Sequence, residues 1–194
     1  VIPCLNEADT IGICVAKAVR TLRAHGIEGE VLVSDNGSTD GSIELAERAG
    51  ARVVRSPERG YGHALMNGFD AARGRFAIMA DADDSYDLED LPKFVAGLRA
   101  GNELVQGCRL PVGGGRVLPG AMPFLHRWFG NPLLSFLARR MFRTPIHDVY
   151  CGYRGLTLEL YRRLELRCIQ APPLGGLAAS ELYATFVKPL PSEP

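Results

Sequence analysis

The chain has 194 residues, 46% apolar and 23% charged, with 22 basic and 22 acidic side chains. That length allows one domain, at most one with an appendage, and the apolar content supports a sizeable core. No apolar run reaches the ~18–20 residues that span a bilayer, and five cysteines without CxxC spacing exclude a disulfide scaffold or zinc ribbon and point to reduced thiols in a cytosolic setting.

Val1-Ile2-Pro3 is expected to be a strand short of its beginning, with no charged-then-apolar signal segment before it. Ile11, Val15, Ala18, Val19 and Leu22 share one helical stripe, with Thr10 as its cap. Glu30–Ser34 and Arg52–Arg55 are predicted strands, and Asp40–Ala49 lies between them as a helix. Gly62–Arg73 is the next helix, Arg75–Ala80 a strand, Leu91–Ala100 a helix opened by Pro92, and Leu104–Gly107 a strand. Residues 122–141 mix apolar bulk with Arg127, Arg139 and Arg140, and Pro132 divides them into two pieces. They suit either a membrane-surface segment or a core-facing helix pair. The Pro-rich stretch from Gln170 is expected to be weakly structured, which gives one domain over 1–168 and a tail over 169–194. Strand–helix alternation with apolar strands predicts an α/β fold, a mostly parallel sheet flanked by helices. Ligands of such sheets bind beyond the strand C-termini.

Charge is unevenly spread. Residues 28–104 hold 15 acids and 8 bases, whereas residues 105–167 hold 10 Arg, no Lys and 3 acids. Arg grips phosphate with a two-pronged hydrogen bond, and no nucleic-acid partner is expected. His63, His126 and His147 show no metal-ligand spacing.

Three loops at strand ends carry candidate chemistry. In Asp81-Ala82-Asp83-Asp84-Ser85, alternation along a strand would bring Asp81 and Asp83 together and turn Asp84 away. A hard divalent cation, Mg²⁺ or Mn²⁺, resolves the repulsion of two such carboxylates and takes its other ligands from water and phosphate. An acidic turn capping the next helix explains the same residues. In the segment from Asp35 to Ser42, Asp35 and Asn36 can accept hydrogen bonds from a base or ribose, while a plain turn accounts for Ser38–Asp40. Glu7, just past the first strand, suits either a base contact or a helix N-terminus.

VIPCLNE, DNGSTDGS, RGYGHALMNGF and DADDS, in this order and spacing, resemble the family 2 inverting glycosyltransferases, whose nucleotide-sugar-binding fold is called GT-A. Gly107-Cys108-Arg109 and Cys151-Gly152-Tyr153-Arg154 are similar to segments of the polyprenyl-phosphate sugar transferases. The resemblance implies a nucleotide-sugar donor, a lipid-phosphate acceptor, and work at the cytoplasmic face of a membrane. It assigns Pro3, Glu7, Asp35, Asn36, Arg59 and Arg154 to the donor, and Asp81 and Asp83 to donor and metal. It places Arg109, Arg127 and Asn131 at the acceptor phosphate. Asp148 joins Asp81 and Asp83 as a catalytic candidate, because a hydroxyl acceptor would need a base, Asp148 or Glu181, whereas an ionised phosphate would not. Asn36 stands where the family carries an acid, and the segment after Cys168 departs from its pattern. Two other readings remain: a nucleotide-sugar-binding remnant without catalysis, and a phosphatase of the haloacid dehalogenase type built on Asp81-x-Asp83.

Overall fold

The structure is a computed structural model that describes residues 1–110, 131–143, 145–170 and 183–188. The first half alternates strand and helix: β1 (Ile2–Cys4), α1 (Ile11–Ala24), β2 (Leu32–Asp35), α2 (Ser42–Arg48), β3 (Arg52–Arg55), α3 (Tyr61–Ala71), β4 (Phe76–Met79), α4 (Leu91–Arg99) and β5 (Leu104–Gln106). α5 (Asn131–Phe142), β6 (Arg154–Thr157), α6 (Leu158–Arg163), β7 (Glu165–Gln170) and β8 (Tyr183–Lys188) follow. Thr10 holds the position before α1, but its side chain caps nothing. The Glu7 carbonyl accepts the first N–H groups instead.

β1, β2 and β3 pair in parallel, and β6 lies antiparallel between β4 and β5. Val1 joins the two groups: its nitrogen donates to Ile78 O at 2.7 Å, and its carbonyl accepts Ala80 N–H at 3.2 Å. The resulting order is β3-β2-β1-β4-β6-β5, with β6 reversed. Alternation along β4 sends Ala77 and Met79 into a cluster with Phe69, Leu156 and Tyr161, and Ile78 and Ala80 into one with Ile11, Val15, Val33 and Phe94. Both faces are therefore covered, and β1 and β2 are buried throughout.

Pro132 lies in the first turn of α5, where a residue with no N–H to donate is tolerated, and residues 122–130 lie outside the described residues. In the tail, Tyr183–Lys188 pairs antiparallel with Glu165–Gln170, a strand that the proline content did not suggest. Cys4, Cys14, Cys108 and Cys151 are free thiols. Among the described residues no helix is long and apolar enough to cross a membrane.

Candidate active site

The C-terminal ends of β1, β2 and β4 open onto a cavity of about 260 Å³ lined by Pro3, Glu7, Asn36, Tyr61, Asp81 and Asp83 among others. A larger cavity of about 610 Å³ lies toward the opposite strand ends, against Leu22, Leu32 and Phe76. The loops that carry the acids do not reach it, so the smaller one is the candidate site.

β4 stops at Met79, so the strand pleat does not extend to Asp81 and Asp83. A turn brings both to the cavity. Asp84 adopts φ 57°, a left-handed conformation that Asp tolerates. Its carboxylate accepts Lys17 Nζ at 2.7 and 2.8 Å and so faces α1. Asp83 is exposed, with Oδ1 accepting the Ser85 N–H at 3.0 Å. Asp81 is half-buried, and Tyr61 Oη donates to its Oδ1 at 2.7 Å. Burial, and then the charge of Asp81, push the pKa values of Tyr61 and Tyr86 upward, so both phenols stay protonated.

Gly152 closes the far side of Asp81. Its N–H donates to Tyr86 Oη at 3.0 Å, and a Cβ there would stand 2.7 Å from that oxygen and 2.9 Å from Asp81 Oδ2. Gly152→Ala must therefore displace both side-chain ends. Overpacking of this kind costs about 1–3 kcal/mol, a fall in Tm of roughly 2–12 °C for a chain of this size, to be read by calorimetry.

Asn36 is buried, and both ends of its amide are used. Nδ2 donates to Glu58 O at 2.8 Å, and Oδ1 accepts the Gly60 N–H at 2.6 Å. An acid here could not donate, which gives a physical reason for the departure from the family pattern. Asn36→Asp is expected to lose about 1–3 kcal/mol, measured as a lowered urea midpoint. Asp35 is 2% exposed, and its oxygens accept the N–H groups of Gly37 and Ser38 at 3.0 and 3.1 Å. The turn thus accounts for a residue that the sequence attributes to base or ribose. Glu7 is half-buried on the cavity wall, and Arg59 stands on the exposed turn before α3.

Asp148 lies elsewhere. It is fully buried, with Arg109 Nε donating to Oδ2 at 2.9 Å, Nη2 to Oδ1 at 3.0 Å, and the Arg109 N–H to Oδ2 at 3.1 Å. A carboxylate so enclosed and so paired is suited to holding Arg109 in place, which sets a structural role beside the catalytic expectation. Arg154 donates to Cys151 O and Val149 O, both at 2.9 Å, and Gln106 Nε2 to Cys151 O at 2.6 Å. These side chains hold the loop that delivers Gly152 to Asp81. Asn131 opens α5, and Arg127 and Glu181 lie outside the described residues. Sequence reasoning missed Tyr61, Tyr86 and Gly152, although Tyr61 and Gly152 fall inside quoted motifs.

Residues 1–164 match Glycosyl transferase family 2. The chain belongs to that family. Within it, the chain is 36% identical over 166 residues to the low-salt glycan biosynthesis hexosyltransferase Agl6 of Haloferax volcanii, covering 85% of this chain and 39% of that protein. It is 32% identical over 160 residues to the dolichyl-phosphate hexose transferase of the same organism, covering 82% and 66%. Glucosyl-3-phosphoglycerate synthase of Mycobacterium tuberculosis superposes with a TM-score of 0.64 at 26% identity, over 84% of this chain and 57% of that one. The same enzyme has been solved with Mn²⁺, UDP and phosphoglyceric acid, with a TM-score of 0.62 at 25% identity, over 84% of this chain and 56% of that one. The chain thus spans 39% of Agl6 and little more than half of the synthase. The fold of this glycosyltransferase domain is of the GT-A type, as the resemblance implied. Family membership displaces the phosphatase reading of Asp81-x-Asp83.

Proposed function

We propose that the domain transfers a hexose from a nucleoside diphosphate to a polyprenyl phosphate, with inversion at the anomeric carbon. The observation that carries this reading is the convergence of Asp81 and Asp83 on the cavity that Pro3, Glu7 and Asn36 line from β1 and β2. Among the described residues no cluster of three or more His, Cys, Asp or Glu could hold a metal by itself. Two carboxylates suit Mg²⁺ or Mn²⁺, which complete their shells with water and substrate phosphate. Asp81 and Asp83 would hold such an ion, which would supply positive charge opposite the leaving diphosphate. Pro3, Glu7 and Asn36 would seat the nucleotide, with Asp35, Arg59 and Arg154 around it.

An acceptor phosphate is already ionised near neutral pH. It needs orientation rather than a base, a task for Arg109, Arg127 and Asn131. Asp148 then holds Arg109. The relative that acts on dolichyl phosphate supports a lipid-phosphate acceptor. So does α5, which turns Ser135 inward and exposes Leu133, Phe136, Leu137 and Met141 with Arg140 among them. Such a face suits the cytoplasmic surface of a membrane.

The test is a radiolabel transfer assay with a panel of nucleoside-diphospho-hexoses and Mn²⁺, offering a short soluble prenyl phosphate or phosphoglyceric acid. Label on the prenyl phosphate, with the anomeric coupling inverted by NMR, supports the proposal. Transfer to phosphoglycerate alone, or to neither, overturns the lipid-phosphate reading.

A further inference from the structure

Asp81 sits two residues past the end of β4, so the strand pleat does not set the direction of its side chain. We propose that Tyr61 is a positioning residue for the donor–cation site, its hydroxyl holding Asp81 so that Asp81 and Asp83 face one cation together. The proposal rests on the reading of Asp81 and Asp83 given above.

Three observations carry it. Tyr61 Oη donates to Asp81 Oδ1 at 2.7 Å, a well-formed O–H···O hydrogen bond. The contact is also built by the fold. Asn36, at the end of β2, grips Glu58 O and the Gly60 N–H, and Gly60 adopts φ 128° and ψ 145°, a conformation open to glycine. That turn makes Tyr61 the first residue of α3 and lays its side chain along the cavity wall. Finally, Gly152 stands against the other carboxylate oxygen. With both sides defined, Asp81 has one orientation, and removing the hydroxyl opens one side.

The test uses the full chain and calorimetric titration of UDP, GDP, ADP and CDP, each in Mn²⁺ and in EDTA. Tyr61→Phe is expected to weaken the Mn²⁺-dependent binding ten- to a hundredfold, the scale on which misplaced groups lose function. Binding in EDTA should stay within twofold of wild type, and Tm should be little changed. In an Asp81→Asn background, Tyr61→Phe should cause no further loss, because the two residues act as one unit. Wild-type-like binding by Tyr61→Phe, equal losses with and without metal, or additive losses in the double variant would each overturn the proposal while leaving the site reading intact. If Mn²⁺ strengthens no nucleotide on the wild-type chain, the site reading fails and this proposal fails with it.

Discussion

Asp83→Ala is expected to remove Mn²⁺-dependent binding of the nucleotide donor, by on the order of 100-fold or more. Loss of an outer-shell partner already costs about 10–100-fold in metal affinity, and a carboxylate that touches the ion should cost at least as much. Asp83 is exposed and its hydrogen bond to the Ser85 N–H is local, so the fold should survive. Asp84→Ala is the matched control, because Asp84 faces Lys17 on α1 rather than the cavity. Calorimetry on both variants decides the matter. Unchanged affinity in Asp83→Ala, or an equal loss in Asp84→Ala, would reduce the acidic loop to a solvated turn.

Asp148→Asn separates the two roles open to that residue. A base in the reaction would lose turnover while stability stayed constant. A buried ion-pair partner would lose stability, because Arg109 is left with an amide where it had a carboxylate. Removing one member of a buried pair costs about 3–5 kcal/mol, and the geometry favours this outcome. Chemical denaturation should show a lower midpoint, with the donor affinity of the remaining folded fraction close to wild type. Replacing both partners, as Arg109→Met with Asp148→Leu, should cost less than the single change, since neither charge is then left unpaired.

The first five strands and four helices were legible because their signals are local. β3 falls on Arg52–Arg55 as expected, and Pro92 fixes the start of α4 to the residue. β6 was not legible. Arg154-Gly155-Leu156-Thr157 has no apolar run, and it is a strand because β4 and β5 lie on either side of it. The site divides in the same way. Carboxylates at strand ends announce themselves, so Asp81 and Asp83 could be named in advance. What a carboxylate bonds to could not be read. Asp35 turns back on the N–H groups of Gly37 and Ser38, and Asp148 meets an arginine 39 residues away. Tyr61 sat in a quoted motif without a role because its partner, Asp81, belongs to a different strand end.

The reversed strand β6 has an implication for how such domains diversify. Gln106 lies opposite Arg154, and the Gly107 N–H bonds Tyr153 O at 2.9 Å. The chain thus leaves the sheet at Gly107 and returns to it at Tyr153, and the two lips of that seam are adjacent strands. The entropy of closing such an excursion grows only with the logarithm of its length. Relatives should therefore differ in length between residues 107 and 153 at little cost to the pairing of β1–β4, provided that a glycine still meets Asp81 where the chain returns.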